Sequence, residues 1–173
     1  TAYTYDVEDR LLSLSGPLVS VAYSYDANGN QFSAAVTSET GTATRSFAYD
    51  LANRLLAVSQ GALARTYGYD GDGKRLRAAW SDPALPETRF LWDVGFALPE
   101  LALERVGAGE LRRYLYGLDL ISITQGTASS YYHHDGIGSV VNLTSSTGAT
   151  QWTYDYEPFG TPRSVRAGTS PGP

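Results

Sequence analysis

The chain has neither cysteine nor methionine among its 173 residues. Without cysteine there is no disulfide framework, no thiol nucleophile and no thiolate zinc site. Long apolar runs are missing too. None exceeds four residues, the longest being Leu55–Val58, so no segment reads as a membrane-spanning helix. Lysine is nearly absent, 12 of the 13 basic residues being arginine, and the formal net charge is −5. That balance lacks the basic footprint of a nucleic-acid binder, and nucleic acid is not expected as a partner. No GxSxG elbow, P-loop or dinucleotide fingerprint occurs. Yet 42% of the residues are hydrophobic and only 18% charged, too apolar a mixture for a disordered polymer. A chain that begins at Thr1 and carries no methionine is expected to be a processed product or a piece of a longer polypeptide.

Tyrosine is what the chain has in excess, 13 of its 21 aromatic residues. Its placement is periodic. Four clusters, Tyr3-Thr4-Tyr5-Asp6, Tyr23-Ser24-Tyr25-Asp26, Phe47-Ala48-Tyr49-Asp50 and Tyr67-Gly68-Tyr69-Asp70, share one pattern. Degenerate copies follow at Phe90-Leu91-Trp92-Asp93, Tyr114-Leu115-Tyr116-Gly117, Tyr132-His133-His134-Asp135 and Tyr154-Asp155-Tyr156-Glu157. Taking the last residue of each cluster as an anchor, successive anchors stand 18 to 24 residues apart. Such regular spacing is the signature of a tandem repeat.

Each unit reads as a β-hairpin. Aromatics at positions −1 and −3 from the anchor alternate with small or polar residues, so both point to one face of a strand. The ladder at −1 comprises Tyr5, Tyr25, Tyr49, Tyr69, Trp92, Tyr116, His134 and Tyr156. A turn is expected after the anchor. Asp26, Asp50, Asp70 and Asp135 open such turns, since an aspartate there can accept from the backbone two residues on. Three residues past the anchor stand Asp9, Gly29, Asn53, Gly73, Gly138 and Gly160, all types that tolerate positive φ. That pattern suits a type I turn closed by a left-handed residue. The units anchored at Asp93 and Gly117 lack it, so their turns must differ. The returning strand places apolar residues at +6 and +8, such as Leu12 and Leu14, or Leu56 and Val58, and period-two alternation puts both on the aromatic face. Arg10, Arg54 and Lys74 at +4 are expected near the tyrosine rings, where they would add cation–π contact.

A lone hairpin cannot bury such a face, whereas stacked hairpins continue one sheet and pack ring on ring. The expected fold is therefore all-β, tandem hairpins stacked into a continuous, twisted or spiralling sheet. Helix signals are weak: Leu98–Arg113 reads as two strands turning at Gly107–Gly109, and Ser81–Glu87, with two prolines, as a loop. The array of about eight units fills residues 1–163, and 164–173 form a Gly/Pro/Ser-rich tail or linker.

His133-His134-Asp135 invites a metal or acid–base reading, but adjacent strand residues face opposite ways and do not share one metal easily. Asp26-Ala27-Asn28-Gly29-Asn30 and Asp70-Gly71-Asp72-Gly73-Lys74 look like calcium loops, with glycine at the fourth position instead of the sixth. Turn chemistry explains them better, although stacked turns leave open a cation shared between carboxylates. No catalytic residue, cofactor or metal is expected.

The run Tyr-Asp-x-x-Gly/Asn at roughly twenty-residue spacing, clearest at 25–30, 49–55 and 69–76, resembles the YD repeats of the Rhs family. That family includes the teneurins and the C component of insecticidal toxin complexes. Residues 131–140, continuing to Tyr154–Gly160, are similar to the start of the Rhs-associated core. The resemblance implies a long β-strip spiralling into a hollow shell, which in bacterial members encloses a C-terminal toxin. The expected function is that of a non-enzymatic, extracellular or cell-surface building block of bacterial origin. Its open β-edges would join copies head to tail into a filament or shell. A fragment of a toxin-encapsulating shell, whose partner is the rest of a longer Rhs polypeptide, is one alternative. An adhesin or carbohydrate-binding module is the other.

Overall fold

The structure is a computed structural model that describes residues 1–95 and 97–167. Among the described residues there are sixteen β-strands and no helix. The chain divides into two compact units, Thr1–Thr88 and Arg89–Pro173. The first holds β1 (Ala2–Tyr5), β2 (Leu11–Ser15), β3 (Val19–Tyr25), β4 (Gln31–Ser38), β5 (Gly41–Tyr49), β6 (Leu55–Gln60), β7 (Leu63–Tyr69) and β8 (Arg75–Trp80). Within this unit consecutive strands pair antiparallel, so their order in the sheet is their order in the chain. The second unit holds β9 (Thr88–Asp93), all but its first residue, and β10 (Glu100–Val106), β11 (Leu111–Tyr116), β12 (Leu120–Gln125), β13 (Ala128–His134), β14 (Val140–Ser145), β15 (Thr150–Tyr156) and β16 (Pro162–Ala167). From β10 onward its strands follow the same meander. Strand β16 runs four residues past the boundary drawn at 163, and 168–173 lie outside the described residues.

Short local connections explain the simple order. Two-residue turns at Gly61-Ala62 and Gly126-Thr127 start on a glycine with φ near +58°, the backbone that a tight hairpin needs. Gly107 has the same conformation, and the Gly109 amide closes the turn on the Val106 carbonyl at 3.0 Å. The loop 81–87 is held by the Ser81 amide on the Ala64 carbonyl, 2.7 Å.

In several hairpins the register pairs the −3 aromatic with the residue at +8: Tyr3 with Leu14, Tyr23 with Ala34, Phe47 with Val58, Tyr67 with Ala78, Tyr132 with Leu143. At the tighter Gly117 turn Tyr114 pairs with Ile123 at +6 instead. These cross-strand pairs are the stabilising unit of a sheet. The residue at +6 departs from the expected alternation. A β-bulge sets the −1 residue opposite +5, as Tyr25 opposite Gln31 and Tyr49 opposite Leu55, and leaves +6 unpaired. Leu12, Phe32, Leu56 and Leu76 at +6 are accordingly 38 to 45% exposed. Burial is sparse: the buried apolar side chains among the described residues are Ala78 and Ala79 in the first unit and Ile123 and Leu143 in the second.

Candidate functional site

The anchors gather along the turn edge of each unit. Every −1 residue of the ladder is the last of its strand, except Trp92, which precedes the last. At Asp6, Asp26, Asp50, Asp70 and Asp135 the anchor amide donates to the carbonyl at +4, and the amide at +3 donates back to the anchor carbonyl, at 2.9–3.2 Å. Residue +3 is left-handed in each: Asp9 at φ 60°, Gly29 at 84°, Asn53 at 59°, Gly73 at 87°, Gly138 at 86°. The anchor carboxylate fastens the turn from inside. Asp50 Oδ1 accepts from the amides of Ala52 and Arg54, both at 2.9 Å, and Asp6, Asp26 and Asp135 do the same with their own +2 and +4 amides.

At Asp6, Asp26 and Asp50 these donors favour the ionised form. At Asp6 the Arg10 amide is the leading influence that holds the carboxyl below its ordinary 3.8, with burial opposing it. At Asp26 the Asn30 side chain leads, and at Asp50 the Arg54 amide followed by the Arg54 guanidinium.

Glu157 is one methylene longer and behaves otherwise. Its backbone closes the same turn on Thr161, with Gly160 at φ 82°, while its carboxylate takes Arg163 at 2.8 and 3.1 Å. At Gly117 the turn is tighter, the Gly117 amide donating to Asp119 at 2.9 Å, and at Asp93 the carboxylate accepts from the Gly95 amide at 2.8 Å. A further copy of the turn stands on the opposite edge, between β14 and β15. There Ser145 Oγ replaces the carboxylate, accepting from Thr147 and Ala149, and Gly148 is left-handed at 80°. The Ser-x-x-Gly spacing was its only trace in the sequence, with no aromatic before it.

Tyr25, Tyr49, Tyr69 and Tyr156 at −1 each join their hairpin to the one before. Tyr25 donates its hydroxyl to the Leu11 carbonyl at 2.9 Å, Tyr49 to Gln31 at 3.1 Å, and Tyr69 to Leu55 at 2.8 Å. In the second unit Tyr156 donates to Val140 at 2.8 Å. Each acceptor is the +5 residue of the preceding hairpin, beside the bulge that pulls backbone groups out of the ladder. The sequence reading treated these rings as apolar packing and missed the hydroxyls. A signal was available: phenylalanine occurs at −3, as Phe47 and Phe90, and never at −1.

Arginine at +4 adds a second link. Arg10 Nε bonds Asp6 at 2.6 Å while its guanidinium lies 5.2 Å from the Tyr25 ring centre. Arg54 repeats this with Asp50 at 2.7 Å and Tyr69 at 5.2 Å, and also donates to the Asp70 carbonyl at 3.1 Å. Lys74 instead turns to Asp72 at 3.2 Å. Where +4 is Asn30 the link is made by amides: Asn30 and Asn28 both donate to Asn53 Oδ1, at 2.7 and 3.2 Å.

His133 is exposed and its Nε2 meets Thr144 Oγ1 at 2.8 Å, while His134 is half-buried opposite Val140. Among the described residues no cluster of three His, Asp or Glu is placed to hold a metal ion. No helix among them is long and apolar enough to cross a membrane.

The Teneurin YD-shell family matches this sequence over residues 1–94. No curated protein matches it. Among solved structures, the crystal structure of TcdB2-TccC3 without its hypervariable C-terminal region is similar at 14% identity with a TM-score of 0.49, over 95% of this chain and 12% of that one. The TcdB2-TccC3-TEV crystal structure is similar at 13% identity and a TM-score of 0.48, over 94% of this chain and 13% of that one. The Tc holotoxin pore of Photorhabdus luminescens, with the TccC3 mutation D651A, gives 13% and 0.44, over 95% and 12%. This chain thus spans about an eighth of the length of the solved chains it matches.

Proposed function

The chain belongs to the Teneurin YD-shell family, and on that premise we propose that it is a length of shell wall, a non-enzymatic structural segment completed by further hairpins at its edges. The observation that carries this is the tyrosine tether, repeated from one hairpin to the next. It fixes four of the hairpins on their predecessors, each through one hydroxyl and one carbonyl, so a sheet lengthens by adding units of the same kind. Few side chains are fully buried, so cohesion comes from neighbour upon neighbour, as in other repeat arrays. The added hairpins come either from a longer polypeptide of the Rhs type or from further copies joined head to tail. An extracellular or cell-surface location fits either source.

Electron microscopy of the purified chain at micromolar concentration, with hydrogen exchange on the same sample, tests the proposal. Filaments with an axial repeat of one subunit are expected if copies complete one another. Single particles whose β1 amides exchange far faster than those of β4 are expected if a longer polypeptide does so. A monomer in which β1 is as protected as β4 would sink the proposal, because a closed edge recruits nothing.

A further inference from the structure

One groove of the first unit has a chemistry that wall building leaves unused. It lies across β5 to β8 on the face of the −3 aromatics, encloses about 480 Å³ and is walled by Val58, Leu63, Tyr67 and Trp80. Two arginines also line it, Arg45 from β5 and Arg65 from β7. No carboxylate lines it. The ion-paired arginines of this unit, Arg10, Arg54 and Arg77, each have an acidic partner in Asp6, Asp50 and Glu87. Arg45 has only the Gln60 amide oxygen, at 3.3 Å. Arg65 lies 5.0 Å from the Trp80 ring centre, and its Nε is buried without an acceptor.

A guanidinium without an acidic partner keeps its terminal donors for another anion, and it is built to take a carboxylate on two donors at once. Strands β5 and β7 are two ladder steps apart, about 10 Å, so two arginine side chains on one face can converge on a single anion. The volume falls in the range of small-ligand sites, which combine apolar walls with a few polar groups. The geometry points to a binding site for an organic carboxylate with a flat apolar body, its carboxylate between Arg45 and Arg65 and its body against Trp80 and Leu63.

The test uses 4-(trifluoromethyl)phenylacetate as the probe, followed by fluorine NMR against the full chain, with the matching neutral amide as control. Saturable binding on the order of millimolar or tighter is expected for the acid, and at least roughly tenfold weaker binding for the amide. Arg65→Gln should weaken the acid by a similar factor, and Arg113→Gln, in the other unit, should leave it unchanged. Should Arg65→Gln disturb the sheet, seen as a lost cooperative melt, Arg45→Gln takes its place, since Arg45 is exposed and its side-chain hydrogen bond is to Gln60. Equal binding of acid and amide, no saturation, or binding indifferent to both substitutions would each overturn the assignment.

Discussion

Tyr69 donates its hydroxyl to the Leu55 carbonyl at 2.8 Å, whereas Tyr23, two residues before a −1 position, makes no such bond. Tyr69→Phe should therefore cost about 1 kcal/mol in urea unfolding, and Tyr23→Phe less than about 0.5. Equal effects would mean that the hydroxyl at −1 has no special role. At Gly29 a Cβ would meet nothing closer than Arg10, 3.9 Å away, so space is available and the backbone decides. With φ at +84°, Gly29→Val should destabilise by about 1–2 kcal/mol, and Gly29→Asn by clearly less, since Asn53 holds +59° in the same place. The melting temperatures of the two variants make the comparison. Asp6, Asp26 and Asp50 also set an acid limit. Their folded-state pKa values lie below the ordinary 3.8, so the unfolded chain binds more protons just below that pH. Their contribution is thus complete above pH 3.8 and is lost as pH falls through the depressed values. A pH series of melting curves should show this fall, and Asp50→Asn should make it shallower.

At the scale of the hairpin, local and non-local information separate. A residue that tolerates positive φ three places after an aspartate is a demand of the turn itself, and each turn states it in its own few residues. The bulge is not stated that way. Leu56 continues a clean alternation with Val58, yet Leu56 is exposed because the register shifts beneath it. Strand periodicity carries the pattern only as far as the ladder is regular. The link between hairpins is likewise a matter of two elements. Arg54 reaches Asp50 in its own turn and Tyr69 in the next, so the coupling of Arg54 with Tyr69 should exceed what either turn holds alone. A double-mutant cycle with Arg54→Gln and Tyr69→Leu should return about 0.5–1 kcal/mol of coupling. A value near zero would leave the arginine as part of its own turn only.

Across the whole chain the repeat makes every hairpin a template for the next. If copies add head to tail, a charge on the outer strand should stop growth without unfolding the subunit. Tyr3 on β1 is 53% exposed, and Tyr3→Lys should abolish any filaments seen by microscopy while leaving the melting midpoint of the subunit within a few degrees. Filaments that persist in this variant would place the junction elsewhere.

Strands, their period and the family are legible in the chain, because these rest on residues close together along it. An aromatic two places from another and an aspartate before a glycine act through their own backbone. Tertiary structure alone decided which carbonyl each tyrosine hydroxyl meets, which apolar residues the bulges turn out, and that Arg45 and Arg65 line one groove. Those outcomes depend on the register between strands, and that register is settled only when neighbouring hairpins lie side by side.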